Sequence, residues 1–374
     1  MDTPALSAAA SGFDPASGSH GNAHDWLARL ETARRLSLLL DGRLIPGQLA
    51  IALIGPNGTQ SLYHIPRQTL SADEAKLAGI SGPQQLYGGV VPYPFVATKA
   101  ISHGLIADAA HAPDGWSSAL GTALKDCVLR GFTAFNLADA KTAGRLLLDL
   151  GPVRIKQVEA TAGLGQEIVS TPYMLDAALD NIDPELLRHH GIVIEENLAE
   201  ALTYSIGLVH LPNAEIAYWG TQRLTQNNHG LMVYGGSDLH VVKGGYERLL
   251  QEPLAEELRA VIMQARHYEQ SCFNAYSGLY ASRRNYDVIA GTDHAGRYRT
   301  AVLEQSWRAG GATGAEIAAF ELFARDPERQ SAHCATFEIY GKVDAAPPGA
   351  SIYYSGVDPV TGPLTKFAVV KDEA

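Results

Sequence analysis

With 374 residues, the chain is too long for one minimal domain and long enough for two or three domains or subdomains with sizeable cores. Its 46% apolar and 18% charged residues describe a soluble globular protein. The formal net charge of −11 speaks against nucleic acid or an anionic membrane as the main partner, yet leaves room for one anionic nucleotide in a local basic pocket.

The first 24 residues, rich in Ala, Ser and Gly, predict a disordered lead-in, and without a basic stretch ahead of an apolar one they predict no signal peptide. Apolar spacing predicts a helix over residues 25–40, then a buried strand within QLAIALIGPNG (48–58) that ends in a turn. The GPNG turn lacks the lysine and Ser/Thr of a P-loop. An apolar segment broken by Gly and Pro (87–103) leads into Lys99. Residues 118–151 contain two helical stretches, with Asn136 as N-cap of the second and Gly151-Pro152 stopping it.

VRIKQVEATAGLGQEIVS reads as strand, glycine loop, strand. Helical patches YMLDAALD and DPELLRHHG follow, the second capped by Gly191. IVIEENL is a strand running into a polar turn. LTYSIGLVHL and AEIAYWGTQRLTQ are sheet strands, HGLMVYGGSDLHVVKGGYERLL is a glycine-broken stretch, and a long helix begins at EELRAV. Residues 284–316 read as a hairpin turning at Asp293-His294-Ala295-Gly296, then a glycine loop and a helix. The tail from CATFEIYGKV onward is β-rich. Three scattered cysteines, Cys127, Cys272 and Cys334, form no CxxC pair, which fits a reducing cytoplasm and speaks against a zinc or disulfide scaffold. No apolar run approaches the roughly 20 residues of a membrane helix.

Four segments carry chemistry. In the hairpin, strand alternation puts Glu304, Ser306 and Arg308 on one face, with Val302 before them and Leu303 and Trp307 opposite. If the turn closes the hairpin, Asp287 falls opposite Glu304. Two carboxylates and a hydroxyl suit Mg²⁺, and the arginine suits a phosphate or carboxylate; an ordinary surface ion pair is the bland alternative. Lys156 sits in an apolar-flanked strand and needs a partner, which an anion would supply, and the loop Thr161–Gln166 lets backbone N–H groups approach one. Glu195-Glu196-Asn197-Leu198 ends a strand in the manner of a hinge that could bond an adenine edge. Lys99, taken alone, is a snorkelling surface lysine.

In this order, lysine, strand-lysine with glycine loop, Glu-Glu hinge, then Asp followed by Glu-x-Ser-x-Arg, the chain resembles the ATP-grasp superfamily over residues 87–316. The resemblance implies an α+β fold with an α/β N-terminal domain (25–110), a small subdomain with the phosphate loop (111–190) and a C-terminal subdomain with the metal site and β-rich tail (191–374). It implies ATP phosphates at Lys99 and Lys156, with Lys243 as a further phosphate lysine. Gly163, Gly165 and Gln166 would close over them, and Glu195, Glu196 and Leu198 would line the adenine pocket. It implies Mg²⁺ at Asp287, Glu304 and Ser306, where asparagine is usual in place of the serine. Arg308 and Lys156 would act on the transferred phosphoryl group, with Gly310-Gly311 donating N–H groups beside Arg308. The implied activity is an ATP- and Mg²⁺-dependent ligase that activates a carboxylate as an acyl phosphate for an amine. A small-molecule kinase, an impaired ATP-binding regulator and a carboxylate-pair hydrolase are the competing readings. The expected partners are small-molecule or peptide-like carboxylate and amine substrates. The chain also looks like a member of an uncharacterised proteobacterial family, domain of unknown function 3182.

Overall fold

The structure, a computed structural model, describes residues 23–55, 57–107, 111–159 and 165–371. It opens with helix α1 (Ala23–Leu39) and three strands, β1 (Arg43–Ile45), β2 (Ala50–Ile54) and β3 (Gln60–His64), paired antiparallel in that order. The links between them are too short for a parallel crossover. The expected α/β character survives only in the small parallel unit of β4 (Leu70–Ser71), α2 (Ala72–Leu77) and β5 (Gly89–Val91).

Two 3₁₀ turns, Pro94–Ala97 and Lys99–Ser102, lead to α3 (Ser118–Leu124), β6 (Gly131–Ala134) and α4 (Leu137–Leu148). Asn136 caps α4, its side chain accepting the Asp139 N–H. Then come β7 (Val153–Gln157), β8 (Gln166–Val169), α5 (Pro172–Asp180), α6 (Pro184–His190) and β9 (Ile192–Glu196). The strands form a sheet ordered β6-β9-β7-β8, so β9, expected to open the C-terminal subdomain, is central here. Sequence reading had no strand at β6. One face of this sheet (Val153, Ile155, Ile192, Ile194) packs with apolar residues of α4 and α5. The other carries Arg154, Lys156 and Glu195.

The remainder builds an eight-stranded antiparallel sheet. Its first strands are β10 (Ala199–Leu211), β11 (Ala214–Gln226) and β12 (Met232–Lys243). After α7 (Tyr246–Leu249), α8 (Glu256–Ala275) and the short β13 (Tyr280–Ala281, beside β5) come β14 (Arg283–Thr292) and β15 (Tyr298–Ser306). Helix α9 (Thr313–Arg325) and β16 (Ser331–Tyr340), β17 (Ser351–Asp358) and β18 (Gly362–Val370) complete it, in the order β15-β14-β10-β11-β12-β16-β18-β17. The stretch read as glycine-broken is thus a central strand. Its glycine is demanded by close approach: Gly236 has φ +137, and a Cβ there would lie 2.0 Å from the Thr336 carbonyl oxygen. The β-rich tail extends the main sheet.

One face of this sheet (Ile206, Leu208, Val242, Tyr286, Val288) is buried with Val261, Ile262 and Ala265 of α8. On the other, Val209, Tyr218, Leu239 and Val241 are buried with residues of α1 and α9. Farther along that second face the inward alternation continues with polar residues: Ser205, Gln222, Ser237 and Asp287. A sheet face that turns from apolar to polar along its strands marks where packing ends and a site can begin. Among the described residues, no helix is long and apolar enough to cross a membrane.

Candidate functional site

The β14–β15 hairpin closes at the expected turn. Asp293 accepts the Ala295 and Arg297 N–H groups at 3.0 and 2.9 Å, and Gly296 takes φ +76. Asp287 stands opposite Glu304, and Asn285 opposite Ser306. The pairing slips between Asp287/Glu304 and Val288/Val302, leaving Leu303 as the extra residue. A bulge inverts the alternation beyond it. Val302 therefore lies in the core with α8 residues, on the face opposite Glu304, contrary to the strict alternation read from sequence.

Asp287 Oδ1 accepts from Gln222 Nε2 at 2.8 Å and Asn285 Nδ2 at 2.9 Å. Burial, reinforced by the Glu304 charge, pushes its carboxyl up to about 6. Beneath it lies a buried ion pair that sequence reading missed. Arg283 meets Glu316 at 2.7 Å, and Glu316 also accepts from Tyr218 at 2.6 Å and from Tyr87. Arg283 donates to the main-chain oxygens of Ser306 (3.2 Å) and Arg308 (2.8 Å) and approaches the Ser306 hydroxyl at 3.4 Å. This buried pair fixes the strand end from which Arg308 departs. The available signal was Glu316, a lone charge inside the apolar helix AEIAAF. Arg308 donates to Ala309 O at 3.0 Å; burial and the neighbouring Arg283 charge lower its hold on its proton. The Gly310 N–H, expected to face an anion, is taken by the Thr313 hydroxyl at 3.0 Å.

Lys99 is brought from a distant segment to this hairpin, its Nζ 3.1 Å from Glu304 Oε2. Gln305 stitches the two together, donating to Val96 O at 2.9 Å and Thr98 O at 2.8 Å, while Ser102 donates to Leu303 O at 3.2 Å. The same turn brings in His103, which sequence reading passed over although it stands four residues after Lys99. His103 Nε2 lies 2.9 Å from Glu195 Oε2, and Lys156 holds the other Glu195 oxygen. Burial would raise the Glu195 carboxyl, but the Lys156 charge and the His103 hydrogen bond outweigh it and hold it at about 2.

Both Glu195 oxygens are thus engaged, and its side chain does not present an open acceptor to an adenine amine. Glu196 accepts the Arg130 N–H at 3.1 Å and lies 3.5 Å from Arg299. Leu198 joins Leu129, Ile289, Ala301 and Leu303 in an apolar cluster directly before Glu304. Gln166 pairs with Lys156 across the small sheet, and Gly165 turns with φ +63. Gly163 lies outside the described residues. Lys243 does not join the others: it ends β12, exposed, and donates to Pro327 O at 2.8 Å. It is six residues beyond Ser237, about 20 Å along the strand.

The structure therefore joins Lys99, Asp287 and Glu304 at one end and Lys156 and Glu195 at the other. Among the described residues, no group of three or more His, Cys, Asp or Glu side chains is placed to hold a metal ion. A cation at Asp287 and Glu304 would have to complete its shell from a ligand, which is how Mg²⁺ is commonly bound with phosphates.

The chain belongs to a family described as "Protein of unknown function (DUF3182)", whose profile matches residues 14–368. No curated protein matches it. Among solved structures it is similar to the biotin carboxylase domain of Hydrogenobacter thermophilus 2-oxoglutarate carboxylase (12% identity, 80% of this chain and 66% of that one, TM-score 0.49). It is also similar to phosphoribosylamine–glycine ligase of Thermotoga maritima (15%, 83% and 81%, 0.46). A third is N5-carboxyaminoimidazole synthetase of Staphylococcus aureus with ADP (11%, 68% and 65%, 0.42). The chain thus spans 65% of the length of that synthetase.

Proposed function

We propose that the protein is an ATP-grasp ligase that activates a substrate carboxylate as an acyl phosphate for attack by an amine. The observation that carries this reading is the meeting of Lys99 with Glu304 at 3.1 Å, opposite Asp287. A phosphate-binding lysine and two metal-type carboxylates, inferred from separate stretches of sequence, share one space. Lys156 on the neighbouring sheet supplies a second cation, held against Glu195, whose other oxygen meets His103.

Asp287 and Glu304 suit Mg²⁺: two hard carboxylates face each other, and burial together with the Glu304 charge raises Asp287, a cost that a divalent cation relieves. When bound, Mg²⁺ would neutralise charge on the nucleotide phosphates. Ser306, within reach of Arg283, can add a hydroxyl. Lys99 would exchange its contact with Glu304 for a phosphate. Arg308, largely buried, would face the carboxylate as charge builds on it. Leu198 and Leu303 would offer an apolar wall to the adenine, with its polar edge read by main-chain groups of the hinge, since the Glu195 carboxylate is occupied.

The test is ADP release with Mg·ATP against paired carboxylate and amine libraries, scored beside Glu304→Gln. Release that needs one carboxylate and one amine, and is lost in Glu304→Gln, supports the ligase. A stable phosphorylated product without coupling would convert it to a kinase. Nucleotide binding that ignores both Lys156→Ala and Glu304→Gln would remove this site from the reaction.

A further inference from the structure

Strand β15 is an edge of the large sheet, and one short segment is held over that edge from both faces. The segment is the pair of 3₁₀ turns, Pro94–Ala97 and Lys99–Ser102. Successive strand residues point to opposite faces, so Glu304 and Gln305 stand on either side of β15. On the site face, Glu304 takes the Lys99 side chain at 3.1 Å. On the α8 face, Gln305 takes the main chain beside it: Nε2 donates to Val96 O at 2.9 Å and to Thr98 O at 2.8 Å. Thr98 directly precedes Lys99, so its carbonyl fixes where the lysine leaves the backbone.

The Gln305 amide is itself held from behind. Tyr268 of α8 donates to its Oε1 at 2.7 Å, which decides that the amide nitrogen faces the turns. Ser102, at the far end of the second turn, lies 3.0 Å from Tyr268 Oη and reaches the carbonyl of the bulged Leu303 at 3.2 Å. Gln305, Tyr268 and Ser102 are 4%, 0% and 0% exposed. Both polar ends of Gln305 are engaged, and a buried network completed in this way holds one arrangement. An apolar side chain of the same length would fill the space but leave two carbonyls and a phenol without this partner. Lys99 needs such an anchor, because an ammonium on a flexible four-carbon stem is placed only as well as its backbone.

We propose that Gln305 is a positioning residue for Lys99: it fixes the main chain of the lysine turn over the β15 edge so that the ammonium stands against Glu304. The clamp rests on the geometry alone; that the lysine so placed serves nucleotide phosphates rests on the ligase reading above. Lys99, Glu304 and α8 then form one unit, and a phosphate arriving at the centre meets a cation already in place, with little ordering left to be done.

Two measurements on the full chain test this. The first is the rate at which an amine-reactive reagent labels each lysine, read by peptide mass spectrometry without nucleotide. Lys99, 4% exposed, is expected to label slowly in the wild-type protein and about tenfold faster in Gln305→Met, while Lys141 on α4 keeps its rate. The second is calorimetry of Mg·ATP. Gln305→Met and Lys99→Ala should each weaken binding by about tenfold, and the double variant should bind no more weakly than Lys99→Ala, because Gln305 acts through the lysine. Should Gln305→Met fail to fold, Tyr268→Phe removes only the hydroxyl that orients the amide, and about threefold changes are expected in both measurements. An unchanged Lys99 labelling rate in the folded variant, or losses that multiply in the double variant, overturns the proposal. Failure of Mg·ATP to bind the wild-type protein, or full binding by Lys99→Ala, would instead count against the nucleotide reading, and the labelling rates still decide the clamp.

Discussion

Two carboxylate centres lie on different sheets of this molecule, and their electrostatics are opposite. Glu195, on the small sheet, is fully buried yet held at about 2, because Lys156 takes one oxygen and His103 the other. Asp287, on the large sheet, is pushed up to about 6 by burial and by the Glu304 charge, which its two amide donors do not outweigh. The first is a finished ion pair that sets geometry. The second is a repulsive pair left short of positive charge, the arrangement expected where a cation or a ligand completes the site. Burial alone thus does not separate scaffold from function; the completeness of the partners does.

The contrast can be broken most sharply at the finished centre. Glu195→Ala strands a buried lysine and should cost about 3–5 kcal/mol in urea unfolding; a cost below 1 kcal/mol would show that the pair is not structural. At the unfinished centre the sign reverses. Asp287→Asn removes the repulsion and should raise the stability of the metal-free protein at pH 8 by about 2 kcal/mol, while abolishing Mg²⁺-dependent nucleotide binding. Lower stability together with intact Mg²⁺ binding would refute the assignment.

The pH dependence follows from the same raised group. Its protonated form stabilises the fold below the unfolded value of 3.8, and that contribution is lost as pH rises through about 6. Mg²⁺ affinity should move the other way, flat above pH 6 and falling by about tenfold per pH unit just below it, as read by calorimetry. A flat profile from pH 7 to 5 would place the cation elsewhere. The smallest effect is expected at His103: His103→Gln keeps one hydrogen bond to Glu195 and should cost only about 1 kcal/mol, against the much larger loss for Glu195→Ala.

Much of this was legible because local signals and tertiary structure agree. The hairpin register that faces Asp287 with Glu304 follows from one turn, and the order of lysines and glutamates along the chain suggested a shared site. What escaped reading was set by contacts distant in sequence. The Leu303 bulge leaves no mark in the alternation of VLEQS, so Val302 was assigned to the wrong face. Strand β12 looks broken because Gly236 serves a close approach to Thr336 of β16, a hundred residues on, and Gly235 one to Thr225 of β11. Lys243 resembles a phosphate lysine by its place in the sequence, but strand length carries it away from the site. The engagement of Glu195 depends on His103, which becomes significant only once its 3₁₀ turn packs against the small sheet.

One bond joins the two ends of the described chain. The His24 N–H donates to Asp358 at 3.1 Å, across 334 residues, while the same Asp358 accepts the Val360 and Thr361 N–H groups in the β17–β18 turn. Helix α1 packs along β17, next to the last strand made. During synthesis this helix emerges well before β17 and must wait on the order of half a minute for its partner strand to leave the ribosome. Its apolar face, Ala33 and Leu36 among others, is without that strand in the interval. A chain truncated before β17 would lose this tie and the strand beside its N-terminal helix as well as its C-terminal hairpin.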